Sequence, residues 1–301
     1  MKKKIDCVVV TYNRLGLLKK CLEALLAQTY ALKHIYVVNN GSTDDTYEYL
    51  EEMKFKHDEV VPIHLKNNLG GAGGFNRGLK NFIKNSDSDY VWVMDDDTVP
   101  TTTALEKLLI KVPGLRNFGF LCSNVRWKDG CAAVMNTPTP TKEDWNSEME
   151  KGMVKLTSAS FVSILFPRKV IKEVGYPISE FFIWCDDVEY TLRITKNNYA
   201  GYLVGNSIVE HKIKKNIGPN IILETDKNRI KRYSLGNRNE IYTNRKLGTK
   251  KDLIKALLRK GILEPINIIR YSKNYKFYKL CVSIKGTING FFFNPNIDRK
   301  E

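Results

Sequence analysis

The stretch Tyr90-Val91-Trp92-Val93-Met94-Asp95-Asp96-Asp97 decides the fold. An apolar run with no polar alternation is the mark of a strand covered on both faces, as in a parallel sheet. It ends in three adjacent carboxylates that repel one another unless a cation offsets them. Upstream, residues 5–10 form a similar β-branched run that stops at Thr11-Tyr12-Asn13-Arg14, and residues 34–38 another that stops at Asn39-Asn40-Gly41-Ser42. Residues 60–65 form a third, followed by Asn67-Asn68-Leu69-Gly70-Gly71-Ala72-Gly73-Gly74. Between them, leucines at 15, 18, 22, 25 and 26 have helical spacing, and residues 43–55 and 75–83 read as helices. Strands alternating with helices predict an α/β fold with a mostly parallel, Rossmann-like central sheet flanked by helices. Ligands of such sheets bind beyond the carboxyl ends of the strands, and each unusual polar cluster falls at one of those ends.

Past residue 100 the pattern loosens. Pro138 and Pro140 predict a loop over the sheet edge, and residues 156–165 read as a strand rich in small and hydroxyl side chains. Phe181-Phe182-Ile183-Trp184 leads into Cys185-Asp186-Asp187 and a helix over 188–196. Short strands at 199–204 and 208–209 precede His211. The expected organisation is a catalytic domain at 1–211, a mobile loop at 212–231 and a basic amphipathic helical region at 232–301.

Composition narrows the function classes. The 301 residues are 43% hydrophobic and 27% charged, which excludes a disordered, collagenous or disulfide-scaffold chain. Lys and Arg number 48 against 33 Asp and Glu, a net charge of +15. Residues 1–211 are neutral, with 26 of each sign, and residues 212–301 hold 22 basic against 7 acidic side chains. A charge so localised points to an anionic partner surface, nucleic acid or membrane. Six scattered cysteines without a C-x-x-C pair read as reduced thiols of a cytoplasmic protein. The basic start Met1-Lys2-Lys3-Lys4 precedes an apolar run too short for a signal peptide, and no segment approaches a membrane span.

Hard divalent cations take oxygen ligands and share them with substrate phosphates, so Asp95 and Asp97 are candidate ligands for Mg²⁺ or Mn²⁺. As alternate residues of an extended segment they would approach one side. The bland alternative is a solvated acidic loop capping the next helix. The glycines at 70–74 would let backbone N–H groups approach a phosphate or ribose, or merely make a flexible turn. Arg77, one turn into the expected helix, would reach a phosphate or lie on the surface. Asp186, Asp187 and Glu189 form a second acidic cluster. Close carboxylates raise one another's pKa, as a general base requires. Trp184 beside them is a stacking face for a sugar ring or a core residue, and Arg193 would orient Asp187.

The segments 8–14, 37–46 and 95–97, with Asn68-x-Gly70-Gly71-Ala72-Gly73-Gly74-Phe75-Asn76-Arg77-Gly78 and Trp184-x-Asp186-Asp187, resemble glycosyltransferase family 2, inverting enzymes of the GT-A fold. The last two motifs resemble the galactofuranosyltransferase-like and rhamnosyltransferase-like members that build bacterial surface polysaccharides such as O-antigen and capsule. The resemblance implies a nucleotide pocket lined by Thr11, Asn13 and Arg14, with Asn40 where the family has an aspartate facing the base. It counts Asn68, Gly70, Gly71, Arg77 and Asp96 with the nucleotide-sugar site. It further implies Mn²⁺ or Mg²⁺ held by Asp95, Asp97 and His211, Asp187 as the base with Asp186 beside it, and Trp184 toward the acceptor. The implied reaction moves a sugar from a nucleoside-diphosphate donor, UDP-galactofuranose first and dTDP-rhamnose second, to a glycan or polyprenyl-diphosphate-linked acceptor. The basic region then addresses the protein to the anionic inner face of the cytoplasmic membrane rather than to nucleic acid, or packs on the catalytic domain or on a second copy in a homo-oligomer. A nucleic-acid-binding protein is the rival that charge alone supports, but the segment carries no reader motif.

Overall fold

The computed structural model describes residues 3–299; Met1 and Lys2 of the basic start lie outside the described residues. The first half follows the expected alternation: β1 (Ile5–Thr11), α1 (Leu15–Leu26), β2 (His34–Asn39), α2 (Thr46–Lys56), β3 (Val60–His64), α3 (Gly70–Asn85) and β4 (Tyr90–Asp95). Then come β5 (Thr98–Pro100), α4 (Ala104–Leu109), β6 (Phe118–Arg126), β7 (Thr139–Pro140), β8 (Met153–Ser158), β9 (Ile164–Pro167), α5 (Arg168–Val174), α6 (Asp186–Lys196) and β10 (Ala200–His211). Four helices close the chain: α7 (Lys227–Leu247), α8 (Lys250–Leu258), α9 (Glu264–Tyr271) and α10 (Lys276–Phe292).

One sheet runs in the order β3-β2-β1-β4-β9-β6-β10-β8-β7, with β5 pairing β10. Its parallel character is confined to β3-β2-β1-β4 and the β6–β10 pair; the other neighbours are antiparallel. The reason lies in the connections. Parallel neighbours need a crossover, which α1, α2 and α3 supply among β1 to β4. Past Asp95 helices no longer alternate with strands, and the segment expected as one strand at 156–165 is instead β8 and β9, with β6 and β10 between them in the sheet. Strands expected at 199–204 and 208–209 are one strand, β10, with a register shift between Val204 and Ile208.

Alternate strand residues feed two cores. Cys7, Val9, Ile35, Val37, Trp92 and Met94 meet the leucines of α1 and α4 on one face. On the other, Val8, Val10, Val38 and Val93 meet Phe75, Leu79 and Phe82 of α3 and Tyr190 of α6. Burial on both faces is why these strands carry no polar alternation.

The expected glycine-rich loop is a correction: α3 starts at Gly70, not Phe75. A Cβ on Gly74 would lie 2.4 Å from Val10 Cγ1, and one on Gly78 2.4 Å from Val8 Cγ1. The glycines therefore seat α3 directly on β1, and that packing outweighs their poor helix propensity. The basic region is helical as expected but opens at Lys227, five residues before the expected boundary. The segment before it is tied down: Ile221 is buried and Asn216 bonds Ala132 and Val134. Pro138 and Pro140 do flank the sheet edge, where Thr139–Pro140 pairs with β8.

Candidate active site

In-register pairing of Thr11 with Asn39, and of Val10 with Asp95, brings the carboxyl ends of β1, β2 and β4 level. β4 stops at Asp95, and Asp96 and Asp97 form a turn into β5. β5 pairs with β10 so that His211 stands opposite Thr98, and the Lys212 N–H donates to the Asp97 carbonyl over 2.8 Å. Asp95, Asp97 and His211 thus converge, each offering one ligand atom within 4.8 Å of the others. The convergence comes from the turn and the ladder, not from the extended alternation expected at 95–97.

The donor set suits a divalent cation: two carboxylates and an imidazole whose other nitrogen is spoken for. His211 Nε2 lies 3.1 Å from Asp97 Oδ1, and Nδ1 2.7 Å from Asn136 Oδ1. A hydrogen bond from Nδ1–H to a fixed acceptor is what orients a metal-binding imidazole. Burial, reinforced by Asp97, pushes Asp95 up to about 7. Burial also drives Asp96 up to about 6. At Asp97 burial acts in the same direction, but the hydrogen bond and charge of His211, with Arg14, hold it below the usual range.

Asp96 does not point with its neighbours. Its oxygens take a hydrogen bond from Thr11 Oγ1 at 2.7 Å and one from Arg14 at 3.4 Å, while Arg14 reaches Asp97 Oδ2 at 2.7 Å. Thr11 and Arg14 therefore brace the acidic turn. Asn13, with φ of +52°, holds Thr43 through its side chain and Ser42 through its N–H.

Asn40 has a different task from the one its motif suggests. It is buried, its oxygen accepts from the Leu69 N–H at 2.9 Å, and its amide donates to Asn68 Oδ1 and to the Gly70 carbonyl. It ties the end of β2 to the start of α3, with both amide hydrogens engaged there. Asn68 serves the same junction, accepting from the Gly70 N–H. Gly70, at φ +73°, could not carry a Cβ, which would fall 2.0 Å from the Phe182 carbonyl oxygen; Gly71 faces open space. Because α3 begins earlier than expected, exposed Arg77 lies two turns in, about 10 Å along the axis from the N-terminus.

The second acidic cluster opens α6. Asp187 accepts from the Val188 N–H at 2.7 Å, yet burial pushes it up to about 6. Asp186 is buried and raised further, first by burial, then by Asp187, with the charge of Asp95 also felt. Arg193 does not orient Asp187. It binds Glu189 in the buried interior, at 2.8 and 3.0 Å, and the carbonyls of Val174 and Tyr176. Four residues apart, 189 and 193 share a helix face, whereas six apart, 187 and 193 do not.

Residues beyond the motifs hold this loop. Phe182, Trp184 and Cys185 all have positive φ, 63°, 64° and 66°, a conformation costing non-glycine residues about 1–3 kcal/mol each. Buried Asn239 of α7 compensates, its amide lying 3.0, 3.1 and 2.9 Å from the carbonyls of Phe181, Ile183 and Trp184. Trp184 itself packs edge-on against Tyr233 of α7, centroids 4.8 Å apart. Asn136 and Asn239 escaped sequence reasoning because a single asparagine in a loop or a polar helix carries no periodic or motif signal.

Residues 6–174 match the family model described as Glycosyl transferase family 2. Poly-beta-1,6-N-acetyl-D-glucosamine synthase of Staphylococcus aureus strain MSSA476 is 26% identical over 177 residues, 57% of this chain and 41% of its own. The enzyme of the same name from Staphylococcus epidermidis is 27% identical over the same shares. The chain thus spans about two fifths of the length of the curated relatives it matches. Among solved structures, S. aureus TarS 1-349 aligns at TM-score 0.57 and 15% identity, over 96% of this chain and 91% of its own. GalNAc-T7 with UDP, GalNAc and Mn²⁺ aligns at 0.59 and 12%, over 85% and 55%. These two likenesses establish the GT-A fold.

Proposed function

This chain belongs to glycosyl transferase family 2, and from that premise we propose that it transfers a sugar, with inversion, from a nucleoside-diphosphate donor to a hydroxyl of a glycan or lipid-linked acceptor. The observation that carries the reading is the convergence of Asp95, Asp97 and His211 beyond the carboxyl ends of the strands. Asp95, Asp97 and His211 would hold Mn²⁺ or Mg²⁺, which when bound offsets charge on a departing diphosphate. The Mn²⁺ and UDP of the GalNAc-T7 neighbour support that assignment.

The remaining work falls to this chain's own side chains. Asp187, at about 6, is largely ionised at neutral pH yet basic enough to take the acceptor's hydroxyl proton. As that proton moves, the acceptor oxygen bonds to the anomeric carbon and the bond to the diphosphate oxygen breaks on the opposite face. One displacement gives inversion. Asp186 is raised by burial and by Asp187, so the pair resists carrying two full charges at once. Thr11 and Arg14 keep Asp96 and Asp97 in place, and Trp184 borders the acceptor side.

The donor assignment rests on the motifs at 68–78 and 184–187, which favour UDP-galactofuranose and then dTDP-rhamnose, in the synthesis of a surface polysaccharide. Among the described residues no helix is long and apolar enough to cross a membrane. Exposed Ile254, Leu258, Ile262, Ile266 and Ile269 line one side of α8–α9, amid Lys250, Lys251, Lys255 and Arg270. An apolar stripe edged with cations suits peripheral binding to an anionic bilayer. Incubation with a panel of nucleotide sugars, with and without acceptor, tests the enzyme reading: nucleoside diphosphate release is expected, and none with any donor would refute it.

A further inference from the structure

A cleft of about 480 Å³ lies where the C-terminal helices meet the loop that precedes α6. Trp184 and Cys185, the two residues before the Asp186-Asp187 pair, form one wall, and Tyr233, Asn237 and Glu240 of α7 another. The third comes from an uncommon turn: α8 and α9 are one continuous helix interrupted by π-helical geometry at Arg259–Leu263. Single π turns inside α-helices recur at functional sites, and this one brings Arg259 and Lys260 to the cleft. Gly236 of α7 lies under the indole, where a Cβ would fall 2.8 Å from Trp184 Cε3.

The charges in this cleft balance. Arg259 pairs with Glu240, and Lys260 with Glu264 at 2.7 Å. Burial works to raise Glu264, but the charge and hydrogen bond of Lys260, with Asn237 and Ser283, hold it below the usual range. Two carboxylates already matched by two cations offer an added anion little gain. They do offer an uncharged polyol a row of strong acceptors and donors beside an aromatic face. The volume falls within the range of small-molecule sites and suits one or two sugar rings.

We propose that this cleft is the subsite for an uncharged sugar of the acceptor, the unit adjoining the hydroxyl that Asp187 deprotonates. The inference rests on the glycosyltransferase reading. It assigns acceptor choice to α7 and the π turn, both outside residues 6–174 that match the family model. Trp184 and Cys185 immediately precede Asp186-Asp187 in the chain, so one wall of the cleft runs into the segment that carries the base.

The test uses the full chain on a glycan array of uncharged, sialylated and sulfated oligosaccharides, with UDP and Mn²⁺ binding followed separately by titration calorimetry. Uncharged oligosaccharides of two or more units should be retained. Binding should drop at least tenfold in Asn267→Trp, which fills the cleft, and in Glu240→Gln, which keeps the shape but unbalances the Arg259 pair. Melting curves of both variants check their folding, and the nearly isosteric Glu240→Gln keeps the test decisive if Asn267→Trp fails to fold. UDP binding with no uncharged glycan retained, retention of acidic glycans only, or undiminished binding by Glu240→Gln would each overturn the subsite. Absence of binding by UDP and, in the same titration, by dTDP would instead strike the glycosyltransferase reading.

Discussion

Replacing Asn239 with alanine should cripple transfer without touching any reacting group. The Asn239 amide has two hydrogens and serves three carbonyls, at 2.9 to 3.1 Å. Phe181 would keep a second donor, Arg238, at 3.3 Å. The carbonyls of Ile183 and Trp184 would lose theirs, at about 1–3 kcal/mol for each buried acceptor left unmet. The expected local cost is therefore about 2–6 kcal/mol. With its pins gone, the positive-φ run at 182–185 has every reason to relax, carrying Trp184 and the start of α6 with it. If only the lower bound reaches the transition state, about 2 kcal/mol is a thirtyfold loss of kcat/KM, at tenfold per 1.36 kcal/mol. Acceptor-dependent release of nucleoside diphosphate measures the rate, and hydrogen exchange at 181–187 reports the loop. Asn239→Asp, similar in shape but offering no amide donor, should fall alongside Asn239→Ala. Wild-type turnover together with unchanged exchange protection at 181–187 would refute the reasoning.

Further outcomes are expected. Asp187→Asn should abolish transfer while donor binding persists, and in the unmodified enzyme kcat/KM should rise with pH through about 6. Because Asp187 binds its proton more tightly folded than unfolded, where carboxyls titrate near about 4, its contribution to stability should fall as pH rises from about 4 to about 6; pH-dependent melting checks the sign. Asn136→Ala, freeing the second nitrogen of His211, should weaken Mn²⁺ binding about 10–100-fold by calorimetry. Gly74→Ala should cost about 1–3 kcal/mol by denaturant unfolding, since the new methyl would meet Val10 Cγ1 at 2.4 Å. In flotation, the protein should rise with anionic vesicles but not with neutral ones, and Leu258→Glu with Ile262→Glu should abolish co-flotation; no flotation of the wild type on anionic lipid sinks the membrane reading.

Much of the fold was legible because the first 95 residues repeat one simple code. Uninterrupted apolar strands, leucine-spaced helices and polar stops at each strand end left little freedom in how they could stack. The same code put Asp95 at a strand end, and the structure groups it with Asp97 as a possible metal-holding set. Where the pattern broke, reading failed in a physical way. Gly70 to Gly74 looked like a loop because helix propensity is local, whereas the close seat of α3 on β1 is not. Arg193 looked like a partner for Asp187 because sequence spacing hides helical phase.

The amino-acid sequence by itself determined the α/β class, the polar strand ends of its first half, and a basic, helical C-terminal region, because burial periodicity and charge are properties of neighbouring residues. Only the tertiary structure decided which polar groups meet. The ladder between β5 and β10 carries His211 across more than a hundred residues to Asp97. Asn239, on a helix beyond the matched family region, holds the strained loop before Asp186. Such contacts depend on the positions of remote backbones, and a hydrogen bond acts only at about 3 Å.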